Sequence, residues 1–354
     1  MTWRCIGLAI LLWFAEVSAN EAVRLPDGFA ELDSDVQAVI LEYLFANEAN
    51  AVWGEQSVTP TAHEMVKYLD DFQTRVLIDF ERGNIRVESL GSQQPGAALK
   101  HAIEAILLTP ADPEAVDLFT AADFGITGRP FLAGKVLDQE GKAIEYAWRA
   151  ERFADYLVSQ RIQRDQQRHW VDISMVKTHK VISAKGFGPA IERAANRYGV
   201  DPALILAVID TESSFNPFAV SPSKAYGLMQ VMSRTAGRDV YEKIYRRGGQ
   251  PSRSVLLNPD KNIDIGTAYL SILRDNYLRG VQGQLKQEYC IIAAYNGGTG
   301  NLLKAFHSDR KKAIQRINAL SVDEVYRIIT TRHPKLESRN YLKKVTRAKQ
   351  HYAS

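Results

Sequence analysis

Cysteine is almost missing from this chain: its 354 residues hold two, Cys5 and Cys290. A disulfide framework is therefore excluded as the source of its stability. Cys290 stands in the apolar run Tyr289-Cys290-Ile291-Ile292-Ala293, which marks it as a small buried hydrophobe rather than a nucleophile. The seven histidines, His63, His101, His169, His179, His307, His333 and His351, are scattered. None falls with Cys, Asp or Glu at the spacing of a metal site, so no metal is expected. There is no glycine-rich phosphate loop, no dinucleotide fingerprint and no internal repeat, so no cofactor is expected either. After Ile6–Ala15 no run is apolar enough to span a bilayer. Charge of one sign is not in large excess: 44 Lys and Arg stand against 41 Asp and Glu, a net +3. Nothing in that balance calls for nucleic acid as a partner. The excess collects at the end, where Asn301 onward carries thirteen basic against four acidic residues.

What is present begins with a short export pattern. One positive charge at Arg4 precedes the apolar run Ile6–Ala15, and Val17-Ser18-Ala19 supplies the small residues of a cleavage site. A signal peptide over 1–19 is expected, with a periplasmic product beginning near Asn20. Residues 20–180 then mix helix and strand signals. Val36, Ile40 and Leu44 make a helical stripe within Asp33–Ala49, and Ala97–Leu108 reads as a second helix. Arg75–Glu81 and Ile85–Leu90 read as a hairpin about Arg82-Gly83-Asn84, and Phe131–Leu137 and Val171–Val176 as further strands. Asp155–Gln167 reads as a helix. This pattern predicts an α+β N-terminal domain. Residues 181–354 are helical throughout, punctuated by Gly, Pro and Asn, and predict a mainly α domain.

The helix that carries chemistry opens at Asp201-Pro202, a capping residue followed by a proline at the first helical position. Asn216-Pro217 must end it. Glu212 lies near its end, with Val208 and Leu204 four and eight residues back and Ile205 and Ile209 alongside. A carboxyl group on an apolar face, next to a helix C-terminus, has a raised pKa and can donate a proton near neutral pH. Ordered motifs follow: Glu212-Ser213-Ser214-Phe215-Asn216-Pro217, Ala225-Tyr226-Gly227-Leu228-Met229-Gln230, Asn262–Leu270, Ala293-Ala294-Tyr295-Asn296-Gly297-Gly298 and Glu337-Ser338-Arg339-Asn340-Tyr341-Leu342. Over about Phe187–Lys349 this order and spacing resembles the lysozyme-like lytic transglycosylases. With its α+β first region the whole looks most like the membrane-bound lytic murein transglycosylase C family.

The resemblance implies a lysozyme-like transglycosylase fold, peptidoglycan glycan strands as substrate, and roles for seven residues. Glu212 matches the catalytic acid/base. Ser221 matches a serine that positions the N-acetyl group or the carboxylic acid. Met229 and Gln230 match the lining of the glycan groove, Tyr295 and Asn296 its facing wall, and Tyr341 a late tyrosine closing on the site. Tyr269 is expected in the core, and Glu337 and Arg339 are expected to pair. Family members are usually outer-membrane lipoproteins; Cys5 precedes the apolar run instead of following it, so lipid anchoring is not expected and outer-membrane association stays open, as does oligomeric state.

Glycosidases usually need two carboxylates about the scissile bond, yet Ser213–Arg238 contains no Asp or Glu. The expectation is a lytic transglycosylase, in which the sugar's own 6-hydroxyl attacks. The alternatives are a lysozyme-type hydrolase using Asp239, Asp260 or Asp264, and a non-catalytic peptidoglycan-binding protein.

Overall fold

Alternation of apolar and polar residues over residues 64–89 builds three consecutive antiparallel strands. They are β1 (Glu64–Leu69), β2 (Thr74–Asp79) and β3 (Asn84–Ser89). The computed structural model describes residues 25–32, 34–90, 94–110 and 129–353; the signal peptide expected over 1–19 lies outside them. Those residues belong to two compact units, one ending at Thr59 and one running from Pro60. The first contains the helix α1 (Ser34–Trp53), longer by a turn than its stripe predicts. No described helix is long and apolar enough to cross a membrane.

In the second unit the sheet order is β1-β2-β3-β5-β4, with β4 at Gln163–Arg164 and β5 at His169–Ser174. Val76, Ile78, Ile85, Val87, Val171 and Ile173 point to one face. There they meet Leu99, Ile103 and Ile106 of α2 (Pro95–Leu107) and Phe153 and Leu157 of α3 (Ala147–Gln160). Two sequence expectations are corrected. Helix α3 starts eight residues before Asp155 and stops at Gln160, because its apolar stripe is Ala150, Phe153, Ala154 and Leu157; the polar stretch after it turns into β4. Phe131–Leu137 is not a strand but a string of turns, with Ala133 N–H donating to the Pro130 carbonyl and Lys135 N–H to that of Leu132.

A second core belongs to the helices. These are α4 (His179–Tyr198), α5 (Pro202–Ser213), α6 (Arg238–Lys243), α7 (Arg253–Leu257), α8 (Pro259–Ile272), α9 (Gln284–Gly297), α10 (Thr299–Lys304), α11 (Arg310–Ala319), α12 (Val322–Arg332) and α13 (Leu336–Tyr352). A two-stranded ribbon, β6 (Ala225–Tyr226) and β7 (Val231–Met232), interrupts them. Helix α5 is apolar on nearly every side, with Leu204, Ile205, Val208 and Ile209 buried, as a central helix must be. Helix α13 packs along it and is fastened at its far end: Lys349 bridges Asp201 at 2.9 Å and Glu288 at 2.8 Å, and the Tyr352 hydroxyl donates to Asp210 at 3.2 Å. The two cores join through Phe218, which leaves the helical part to pack edge-on against Phe131 at 5.2 Å among the sheet's apolar residues. Beside it, Asn216 Nδ2 donates to the Ala62 carbonyl at 3.1 Å, and His63 Nδ1 lies 3.1 Å from Ser214 Oγ.

Candidate active site

Glu212 occupies the last turn of α5. The helix opens as its sequence predicts, with the Asp201 carboxylate accepting from Ala203 N–H at 2.9 Å. It closes abruptly: Ser214 and Phe215 both take left-handed backbone conformations, at φ 51° and 63°. For residues with side chains that geometry is costly and needs support from around it. Support comes from Phe215, fully buried, and from Asn216 Oδ1, which accepts from Phe218 N–H at 3.0 Å. Ser213 Oγ donates to the carbonyls of Ile209 and Leu228 at 3.1 and 2.8 Å. The motif after Glu212 is thus a braced corner that fixes where the carboxyl points.

It points into a cleft of about 620 Å³. Six of the seven predicted residues, Glu212, Ser221, Gln230, Tyr295, Asn296 and Tyr341, line it together. Ser221 sits at the base of the β6–β7 ribbon, where Oγ accepts from Ala225 N–H at 3.1 Å. Gln230 folds back so that Nε2 donates to the Gly227 carbonyl at 3.0 Å. Tyr295 Oη donates to the Met229 carbonyl at 2.7 Å, and its ring meets that of Tyr269 at 5.7 Å. Asn296 Nδ2 donates to Glu337 Oε1 at 3.0 Å, and its Oδ1 accepts from Ser338 Oγ at 2.7 Å.

Met229 is a correction. Its side chain is fully buried, packed on Gly266 and Thr267, and only its backbone serves the site. The methionine that lines the cleft is Met232, three residues on and 40% exposed. Tyr269 packs against the helical core, as expected, and also forms part of the cleft wall. The expected pairing of Glu337 with Arg339 is absent among the described residues: Asn296 holds Glu337, and Arg339 Nε donates to the His333 carbonyl at 2.7 Å.

Among the lining residues that the sequence reading did not single out, four stand apart from the motifs. Ala62 and His63 come from just ahead of β1, where no local pattern ties them to a site 150 residues away. Lys335 and Lys344 flank Tyr341 on α13 and its lead-in; their sequence signal was the basic tail. Asn262 was visible as a motif but without a role. Fully buried, it accepts from Met229 N–H at 2.8 Å and donates to the carbonyls of Tyr226 and Leu256 at 2.7 Å each. It can do so because Gly227, at φ 69°, has no side chain; a Cβ there would lie 2.4 Å from the Leu256 carbonyl oxygen.

Burial raises the Glu212 pKa to about 8. The Tyr341 hydroxyl, in a contact too loose to rank as a formed hydrogen bond, pulls it back, and the negative Glu337 pushes it up again. Tyr295 and Tyr341 are themselves held well above the ordinary tyrosine value, first by burial and then by the Glu212 charge. The site is therefore a protonated carboxylic acid among neutral phenols, able to deliver a proton to a bound oxygen.

None of the three aspartates considered as a second carboxylate lines this cleft. Asp239 is taken by Lys243 and by the Tyr277 hydroxyl at 2.8 Å. Asp260 pairs with Arg193 at 2.6 Å. Asp264 accepts from Arg197 at 2.9 Å and from the hydroxyls of Tyr198, at 3.0 Å, and Tyr245.

Known proteins repeat this combination. Residues 32–185 match the model of the membrane-bound lytic murein transglycosylase C N-terminal domain, and residues 189–318 that of the transglycosylase SLT domain. The chain is 45% identical over 319 residues to membrane-bound lytic murein transglycosylase C of Yersinia pestis (strain Pestoides F), covering 88% of this chain and 89% of the relative. The same figures hold for that of Yersinia pseudotuberculosis serotype O:1b (strain IP 31758). Among solved structures, the 70 kDa soluble lytic transglycosylase of Escherichia coli is 26% identical over 47% of this chain and 24% of its own, with a TM-score of 0.36. By its identity and coverage to the curated relatives, the chain belongs to the membrane-bound lytic murein transglycosylase C family and is a peptidoglycan lytic transglycosylase.

Proposed function

We propose that the chain cleaves the β-1,4 bond between N-acetylmuramic acid and N-acetylglucosamine without water, with Glu212 as the sole acid/base and a 1,6-anhydro-N-acetylmuramic acid end as product. The observation that carries the reading is the half-buried Glu212, its pKa raised to about 8, on the floor of a cleft that Asp239, Asp260 and Asp264 do not reach. Glu212 protonates the glycosidic oxygen as the C1–O bond breaks, and the N-acetylglucosamine leaves with its 4-hydroxyl restored. The resulting carboxylate then takes the proton of the muramic acid C6 hydroxyl, whose oxygen closes on C1. One residue serves as acid and base in turn, and the nucleophile is tethered to its target, which replaces an encounter with water by an intramolecular step. Ser221, Gln230, Tyr295, Asn296 and Tyr341 shape the cleft about the sugars, and Met232 takes the place first expected of Met229.

Among the described residues a hydrolytic reading attaches to Glu337, the second carboxylate lining the cleft. Its hydrogen bond with Asn296 and its exposed position favour a holding role. Digestion of purified sacculi in oxygen-18 water separates the two. Anhydro ends without label support the proposal; substantial label at the muramic acid C1 sinks it, and its disappearance in Glu337→Gln then names the base.

The export pattern at residues 1–19 and the family's membrane-bound relatives support a place in the periplasm at the membrane.

A further inference from the structure

The C-terminal end of α9 and the start of α13 meet in a corner with little room. Ser338 is fully buried. Its hydroxyl donates to Asn296 Oδ1 at 2.7 Å, and the other end of the same amide donates to Glu337 Oε1 at 3.0 Å. The direction of this chain is fixed. The carboxylate can only accept, so Asn296 must present Nδ2 to Glu337, which leaves Oδ1 to accept from the Ser338 hydroxyl; turned over, the amide would set its oxygen against the carboxylate and lose that bond. The corner is tight by construction. A Cβ on Gly297 would stand 2.6 Å from Ser338 Oγ and 2.6 Å from His333 Cε1, so only glycine beside Asn296 lets the serine come this close. Glu337 itself is exposed, and among the described residues Asn296 is the one hydrogen-bond partner of its carboxylate.

We propose that Ser338 is a positioning residue for the reaction: by orienting the Asn296 amide, its hydroxyl holds the Glu337 carboxylate on the cleft wall beside Glu212. Glu337 lies close enough for its charge to favour the protonated form of Glu212, which is the form that starts the reaction. Other groups facing this space are Lys335, Lys344 and Tyr341 from α13 and its lead-in, Tyr295 from α9, Tyr269 from α8 and His63 from ahead of β1. Glu337 is the one charged side chain that acts on Glu212 among the described residues, so releasing its carboxylate toward solvent shifts the local balance against the proton on Glu212.

The inference rests on Glu212 being the acid, and the experiment separates the two. Rates of sacculus cleavage are measured against pH for the full chain, Ser338→Ala, Glu337→Gln, the double variant and Ser338→Thr, with Glu212→Gln as the control for the acid. In Ser338→Ala the alkaline limb moves to lower pH by about half a unit, the scale of one unit charge several ångströms away in a water-like dielectric. Glu337→Gln gives the same shift, the double variant goes no further, and Ser338→Thr, which keeps the hydroxyl, restores the limb. An unmoved limb in a folded Ser338→Ala protein, or shifts that add in the double variant, overturns the proposal. Cleavage persisting in Glu212→Gln overturns instead the assignment of the acid. If Ser338→Ala does not fold, Asn296→Ala breaks the same chain one residue on and must give the same shift.

Discussion

The Tyr295 hydroxyl reaches across the cleft to the main-chain carbonyl of Met229 at 2.7 Å, joining the end of α9 to the turn that faces Glu212. The bond is part-buried, so its loss leaves the carbonyl without its protein partner. Tyr295→Phe is expected to lower stability by about 1–3 kcal/mol and to slow cleavage, because the wall and the turn are then free to move apart. Chemical denaturation and sacculus digestion measure the two effects. A variant as stable and as active as the parent would show the bond to be incidental.

Glu212→Gln keeps the shape of the side chain and removes its proton. Cleavage is expected to fall by at least about 100-fold, the lower range for loss of a positioned general acid, with thermal stability at neutral pH not reduced. Retention of more than a few per cent of the parent rate contradicts the assignment.

The same residue makes stability depend on pH. Unfolded, its carboxyl ionises near 4.5; folded, near 8. Between those values the native state binds the extra proton, so stability is full below about 4.5 and falls as pH rises toward 8. A shift of this size corresponds to a loss on the order of 5 kcal/mol. Glu212→Gln carries no charge at any pH and escapes the loss. The melting temperature of the variant relative to the parent should therefore climb from pH 5 to pH 9; a constant difference refutes the raised pKa. Cleavage by the parent should decline through the same upper limit, as the acid form disappears.

Most of the cleft was legible in the sequence because its residues sit in short motifs with local causes. The Asp201 cap, the apolar sides of α5 and the break at Asn216-Pro217 all act within a few residues of Glu212. Met229 and Met232 could not be told apart in that way. Which of them faces solvent depends on the turn at Gly227 and on Asn262, whose three hydrogen bonds reach back over a separation of up to 36 residues. His63 was invisible for the same reason, since only tertiary packing brings it to Ser214. In the sheet region, pattern reading found the β2–β3 hairpin, where turn and alternation agree, and failed at Phe131–Leu137, where an apolar run is folded into turns.

Asn262→Ala tests whether that turn is as dependent on one side chain as its geometry says. The substitution removes the partner of Met229 N–H and of the carbonyls of Tyr226 and Leu256 in a buried place. A cost of about 3 kcal/mol or more is expected, since each stranded group costs on the order of 1–3 kcal/mol, and Gln230 and Met232 should lose their fixed places with it. Proteolysis of the β6–β7 ribbon reads the local effect, and denaturation the global one. Unchanged protection of the ribbon would show that other contacts hold the turn.

Asp264→Asn separates a structural carboxylate from a catalytic one. Asp264 accepts from one arginine and two tyrosine hydroxyls in a depression away from the cleft. Burial and the Asp264 carboxylate together hold Tyr245 above the ordinary tyrosine value. Asparagine has the same outline, but one of its two ends is now a donor facing other donors. The amide oxygen can still face Arg197, but both tyrosine hydroxyls must turn from donor to acceptor and the carboxylate charge is lost from all of these bonds, so stability should drop by about 1–3 kcal/mol. Cleavage measured well below the melting temperature should stay within about threefold of the parent, because this residue lies off the cleft lining. Asp239→Asn should behave alike, since its partners Lys243 and Tyr277 likewise lie off the cleft lining. The opposite result, a loss of 100-fold or more in a variant that still melts cooperatively, would place a second carboxylate in the reaction and return the hydrolytic reading to these aspartates.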